Sequence, residues 1–124
     1  MQVLVVDDSQ IMRRIITSIL GKLETDNLSI LEAADGQEAV NAVNEHSDIG
    51  LILMDWNMPT MTGIEAVKTI RAGGSTTPIV MVTTEGEKQK VIEAIKAGAN
   101  DYLIKPFNAK DIQNKLEKFL QTTG

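Results

Sequence analysis

The sequence contains no cysteine, which excludes disulfides and thiolate metal sites. It has one histidine, His46, expected exposed near a helix end and no candidate for a phosphohistidine. It has no basic excess. Twelve Lys and Arg against seventeen Asp and Glu leave a net charge of -5, the wrong sign for non-specific binding of nucleic acid. No apolar stretch approaches the roughly 18 uninterrupted residues of a membrane span. The first apolar run stops at Val6 with no basic segment before it, so neither a signal peptide nor membrane insertion is expected, and a cytoplasmic location is.

What the chain does have is ordinary globular composition, 43% hydrophobic and 23% charged over 124 residues, the size of one domain. Five short apolar runs recur: Val3–Val6, Ser29–Ala33, Gly50–Met54, Ile79–Val82 and Tyr102–Ile104. All but the second are nearly continuous, as strands buried on both faces of a parallel sheet are. The second carries Glu32 and reads as an edge strand.

Helical spacing fills the intervals. Met12, Ile15, Ile16, Ile19, Leu20 and Leu23 repeat at three and four to give one apolar stripe. Ala39, Val40 and Val43 make a second, opened by a capping-box pattern of Asp35 and Glu38. Ile64, Val67 and Ile70 make a third, ended by Gly73-Gly74, and Val91, Ala94 and Ile95 a fourth, stopped at Gly98. Ile112, Leu116, Phe119 and Leu120 make the last, with Asn108 as its cap. Strand and helix alternate five times without a linker, predicting one α/β domain over 1–124 with three layers and a doubly wound parallel sheet.

Chemistry collects immediately after the strands. Asp7-Asp8 follows the first, Asp55 the third, Thr83-Thr84 the fourth and Lys105-Pro106 the fifth. In such sheets ligands bind at the carboxyl ends of the strands. Two carboxylates about 5 Å apart repel by roughly 3 kcal/mol at an effective dielectric near 20, so three pairs cost on the order of 10 kcal/mol. Lys105 offsets only part of that, and an oxygen-only donor set calls for a hard divalent cation. Mg²⁺ fits best, since it takes one or two carboxylates together with water and phosphate oxygens. Asp55 then serves as a nucleophile toward phosphorus, with Lys105 and the Thr83 hydroxyl neutralising phosphoryl oxygens.

Named motifs run through the whole chain: VVDDS at Val5–Ser9, MRRI at Met12–Ile15, MDWNMP at Met54–Pro59, TGIE at Thr62–Glu65, VTTE at Val82–Glu85, AGANDY at Ala97–Tyr102 and KPF at Lys105–Phe107. Their order and spacing resemble the receiver domains of two-component response regulators, and within them the single-domain chemotaxis members. The resemblance implies a flavodoxin-like (βα)5 fold with strand order 2-1-3-4-5. It implies that Asp7 and Asp8 bind Mg²⁺, Asp8 directly. It makes Asp55 the phosphoacceptor and a metal ligand, and Asn57 the donor of a backbone carbonyl. Thr83 becomes the switch hydroxyl, Tyr102 the switch aromatic and Lys105 the site lysine. A cis Lys105–Pro106 bond is implied as well. Thr62 departs from the aspartate that many members carry before the glycine, and the chain starts almost at strand one.

The partners so implied are a sensor histidine kinase as phosphodonor, the flagellar motor switch protein as target, and a phosphatase, with the chain a monomer. It is expected to be a signalling protein that promotes its own phosphorylation and dephosphorylation, not a turnover enzyme. A phosphorelay intermediate is the alternative within that class. Outside it stand a haloacid-dehalogenase-type phosphatase, whose D-x-D pattern Asp55-Trp56-Asn57 lacks, and a flavodoxin-like cofactor binder, whose first loop would not be acidic. Arg13 and Arg14 read as a solvated helix face, and Met54, Met58, Met61 and Met81 as packing residues.

Overall fold

The computed structural model describes residues 2–22, 28–56, 58, 60–84, 88–105 and 107–120. Strands and helices alternate as β1 (Gln2–Val6), α1 (Gln10–Lys22), β2 (Ser29–Ala33), α2 (Gly36–Glu45), β3 (Ile49–Asp55), α3 (Gly63–Ala72), β4 (Ile79–Thr84), α4 (Lys88–Ala97), β5 (Asp101–Lys105) and α5 (Ala109–Leu120). The five strands form one parallel sheet in the order β2-β1-β3-β4-β5, so the expected fold class and order are met and Glu32 does lie on an edge.

Alternation along each strand feeds two cores. Val3, Val5, Leu51, Leu53, Val80, Val82 and Leu103 meet Ile16 and Leu20 of α1 and Ile112 and Leu116 of α5. Leu4, Val6, Ile52, Met54, Ile79 and Met81 meet α2, α3 and α4 on the other face, and Met58 packs there too. Each fully buried aliphatic side chain contributes on the order of 2 kcal/mol, and the period of two divides that burial between the faces.

Helix starts are local chemistry. Ser9 Oγ accepts the Met12 N–H at 3.2 Å, and Asn108 and Asp111 accept one another's N–H at 2.9 and 3.0 Å. Asp35 caps α2 by accepting the Glu38 N–H at 2.8 Å. The reciprocal bond of that box lands elsewhere: Glu38 Oε1 takes the N–H of Ala34, one residue before the cap. A full box forms instead at α3, where Thr62 and Glu65 each accept from the other's N–H. Gly74 and Gly98, with φ of +95° and +127°, turn the chain away after α3 and α4.

Three sequence expectations need correcting. Ile15 is 46% exposed and Ile95 is also exposed. At about 100° per residue, Ile15 lies about 120° around α1 from the line joining Ile16 and Leu20, beyond the buried stripe. Ile95 likewise stands a full 100° step from Ala94, which is the buried centre of α4. His46 is half-buried at the C-cap of α2, where its N–H bonds to the Ala42 carbonyl. Leu23 lies outside the described residues.

Candidate metal and phosphoryl site

The polar residues at the carboxyl edge belong to the strands more than they follow them. Asp55 is the last residue of β3 and pairs with Val82, while Thr84 pairs with Lys105. The core-facing alternation Val3-Val5 continues to Asp7, Leu51-Leu53 to Asp55, and Leu103 to Lys105. One more step of a buried pattern therefore delivers two acids and a lysine to the same side of the sheet.

There the carboxylate oxygens of Asp7, Asp8 and Asp55 all lie within 4.8 Å of one another. Asp7 is 2% exposed and Asp55 8%, whereas Asp8 faces solvent. Lys105 Nζ stands 3.3 Å from Asp55 Oδ1 and 3.5 Å from Asp7 Oδ2. Asp55 Oδ1 also accepts the Trp56 N–H at 3.0 Å. Burial, followed by the charge of Asp7, pushes the Asp55 carboxyl up to about 6, against the opposing pull of Lys105.

These residues fit a hard divalent cation. Asp7 Oδ2 is buried and makes no hydrogen bond, the Lys105 ion pair being its contact among the described residues. A buried carboxylate oxygen without a hydrogen bond is costly, and one ammonium at 3.5 Å, shared with Asp55, offsets that cost only in part. The donors are oxygens alone, and they converge from one rim that solvent reaches through Asp8.

Thr83, on β4, sits one register step beyond Val82, the partner of Asp55, and is buried. Tyr102 is not brought into the pocket. Its pairing partner is Met81, two residues before Thr83; it is 42% exposed, and Lys115 Nζ lies 5.9 Å from its ring centroid. Asn57 and the Lys105–Pro106 bond lie outside the described residues. Trp56 is buried beside Asp55, with Lys90 Nζ 5.5 Å from its ring.

Sequence reasoning missed two supports of this edge. Gly63 donates its N–H to the Trp56 carbonyl at 3.0 Å, and a Cβ there would stand 2.5 Å from the Asp55 carbonyl oxygen. The signal was available in TGIE, a Thr-x-x-Glu capping pattern with glycine at the first helical position. Arg13 is not a solvated residue. Its guanidinium reaches the Asp7 carbonyl oxygen at 2.6 Å and Glu32 Oε1 at 3.1 Å, with 15% of the side chain exposed. No local pattern announces a contact spanning 19 residues.

Carboxylates for a cation and a lysine for an anionic group, set on the carboxyl edge of a 2-1-3-4-5 sheet, narrow the class to an α/β domain that takes both together. The chain belongs to the response regulator receiver domain family, whose model matches residues 3–117. It is thus a signalling domain, as the motifs led one to expect. It is 48% identical over 124 residues to a chemotaxis protein CheY homolog of Campylobacter jejuni, covering 98% of this chain and 94% of the relative. The solved structure of chemotaxis protein CheY4 of Vibrio cholerae matches with a TM-score of 0.84 at 36% identity, over 95% of this chain and 97% of that one. The receiver domain of sensor histidine kinase PA1611 from Pseudomonas aeruginosa, solved with a magnesium ion coordinated in its active-site cleft, matches with a TM-score of 0.86 at 29% identity, over 98% of both.

Proposed function

We propose that this chain is a single-domain response regulator of the chemotaxis type, one receiver domain over 1–124, phosphorylated on Asp55 by a histidine kinase. The observation that carries the reading is the convergence of Asp7, Asp8 and Asp55 within 4.8 Å, with Lys105 3.3 Å from Asp55. Mg²⁺ is the cation this oxygen set suits, held by Asp7, Asp8, Asp55 and the backbone carbonyl of Asn57. When bound it supplies charge neutralisation at the phosphoryl oxygens and the attacking carboxylate.

The chain's own residues do the rest. Asp55 Oδ1 is engaged by the Trp56 N–H and Lys105, which assigns the attack to Oδ2. A bond forms from that oxygen to phosphorus as the donor's phosphorus–nitrogen bond breaks and the donor imidazole leaves. Lys105 offers its ammonium to one phosphoryl oxygen and Thr83 its hydroxyl to another. Such a domain undergoes phosphorylation and promotes its own dephosphorylation, and is not a turnover enzyme.

The output is a protein contact. Ile92, Ile95 and Tyr102 are exposed on α4 and β5, and a groove of about 290 Å³ between β5 and α5 is lined by Tyr102, Leu103, Ile104, Asp111, Asn114 and Lys115. The chemotaxis relatives favour the flagellar motor switch protein as target, with a phosphatase to end the signal, in the cytoplasm and with the chain as a monomer. The test is intact mass after exposure to a low-molecular-weight phosphodonor with Mg²⁺. One phosphoryl mass should be gained by the wild type and none by Asp55→Asn; an unchanged gain in the variant would remove Asp55 from the role.

A further inference from the structure

The β1–α1 corner carries a tie that the phosphoryl chemistry does not use. Arg13, in the first turn of α1, donates from Nη1 to the Asp7 carbonyl oxygen at 2.6 Å and from Nε to Glu32 Oε1 on β2 at 3.1 Å. The backbone N–H and one carboxylate oxygen of Asp7 are already committed. Its N–H donates to the Ala33 carbonyl at 3.1 Å, and its Oδ1 accepts the Ser9 N–H at 2.9 Å. The carbonyl that Arg13 holds belongs to the peptide unit leading into Asp8.

That unit is planar, so the direction of its carbonyl sets where the Asp8 Cα is placed, the point from which its side chain must reach the other two acids. Asp8 needs such help. Its side chain faces solvent, and among the described residues no hydrogen bond holds its carboxylate. With no side-chain bond to hold it within 4.8 Å of Asp7 and Asp55, it depends on where its backbone stands, and Arg13 ties that backbone to Glu32 on the edge strand. The forked guanidinium suits the task, since two of its nitrogens point to two different acceptors, which a lysine ammonium on a flexible stem does not reproduce.

We propose that Arg13 is a positioning residue of the cation site: clamped by Glu32, it fixes the Asp7–Asp8 peptide and so holds Asp8 ready as a ligand. The inference rests on the Mg²⁺ reading of the pocket. It makes a prediction opposite in sign to simple electrostatics. A cation near a metal site repels the metal, so deleting Arg13 for its charge alone would tighten Mg²⁺ binding. Deleting a positioning group loosens it, and partners that orient ligands are commonly worth 10- to 100-fold in affinity.

The experiment is calorimetric titration of the folded protein with MgCl₂, supported by Trp56 emission, in wild type, Arg13→Ala, Arg13→Lys and Glu32→Ala. We expect binding to weaken about tenfold in Arg13→Ala and about threefold to fivefold in Arg13→Lys and Glu32→Ala, each with an unchanged far-ultraviolet spectrum. Arg13→Lys, which keeps the charge and loses the fork, keeps the test alive if Arg13→Ala does not fold; Glu32→Ala also removes a negative charge and counts only beside it. In an Asp8→Ala background the Arg13→Ala loss should vanish, because Arg13 acts through Asp8. Unchanged or tighter binding in the Arg13 and Glu32 variants overturns the inference, as does an equal loss with Asp8 removed. A wild-type chain that takes up no Mg²⁺ sinks the metal reading itself, and the inference with it.

Discussion

Lys105 Nζ lies between two acids, 3.3 Å from Asp55 Oδ1 and 3.5 Å from Asp7 Oδ2, with 23% of its side chain exposed. It is the cation that makes the metal-free pocket tolerable, and it occupies the neighbourhood a divalent ion would claim. The two consequences have opposite signs. Lys105→Met should destabilise the protein without Mg²⁺ by about 1–2 kcal/mol at neutral pH, since two buried carboxylates at a solvent-reached rim lose their counter-charge. The same variant should bind Mg²⁺ severalfold more tightly, because a competing positive charge is gone. Urea unfolding and MgCl₂ titration measure the two, and weaker Mg²⁺ binding would show Lys105 to be needed for the metal shell.

Asp55 is raised to about 6 from an ordinary carboxyl value of 3.8, by burial first and the charge of Asp7 second. Below 3.8 the folded and unfolded chains both hold the proton, and the group contributes nothing. Between 3.8 and 6 the folded chain holds more protons, so stability falls as pH rises, and above 6 the full penalty is present. Two pKa units represent about 3 kcal/mol. Water at the open rim screens this to roughly 1–2 kcal/mol. Asp55→Asn should therefore be more stable than wild type by that amount at pH 7.5 without Mg²⁺, and equal to it near pH 4. A difference independent of pH would mean that charge is not the cause.

Gly63 fits under the β3 terminus only because it lacks a side chain. A Cβ would come within 2.5 Å of the Asp55 carbonyl and 3.1 Å of the Trp56 Cα, both backbone atoms that cannot swing aside. Gly63→Ala should cost about 2–4 kcal/mol. Gly21→Ala in α1, where nothing stands within 4 Å, should instead stabilise by about 0.5–1 kcal/mol. Thermal unfolding of the pair checks both directions, and similar small shifts would refute the close approach.

Thr83 and Tyr102 lie on the same face of the sheet, since Thr83 pairs with Ile104 and Tyr102 stands two residues before it on β5. A phosphoryl group on Asp55 that draws the Thr83 hydroxyl inward would open room on that face, and the outward ring of Tyr102 could turn into it. Thr83→Ala is therefore expected to accept phosphate on Asp55 yet lose most of the phosphorylation-dependent gain in partner affinity. Coupling of this kind is typically about 1–3 kcal/mol, a factor of roughly 5 to 150. Partner binding with and without a stable phosphoryl mimic measures it, and full enhancement in the variant would mean that the signal leaves by another route.

Much of this was legible in the chain itself, wherever the cause is local or periodic. Alternation of apolar strands with helical stripes set the α/β class. The Glu32 interruption marked an edge strand, and acids or hydroxyls ending buried runs marked the carboxyl edge. Asp7, Asp8, Asp55 and Lys105 could be named in advance because a residue one step past a buried strand must emerge at that edge. The tertiary structure alone decided the rest. It left Ile15 and Ile95 beyond the buried sectors, since a helix buries only the sector its sheet covers, and it left Tyr102 outside the pocket. It also turned Arg13 from a surface charge into a brace between Asp7 and Glu32. Such contacts join residues whose separation in sequence has no period, so only the folded chain, having met the entropy cost of bringing β2 beside β1, supplies the partner.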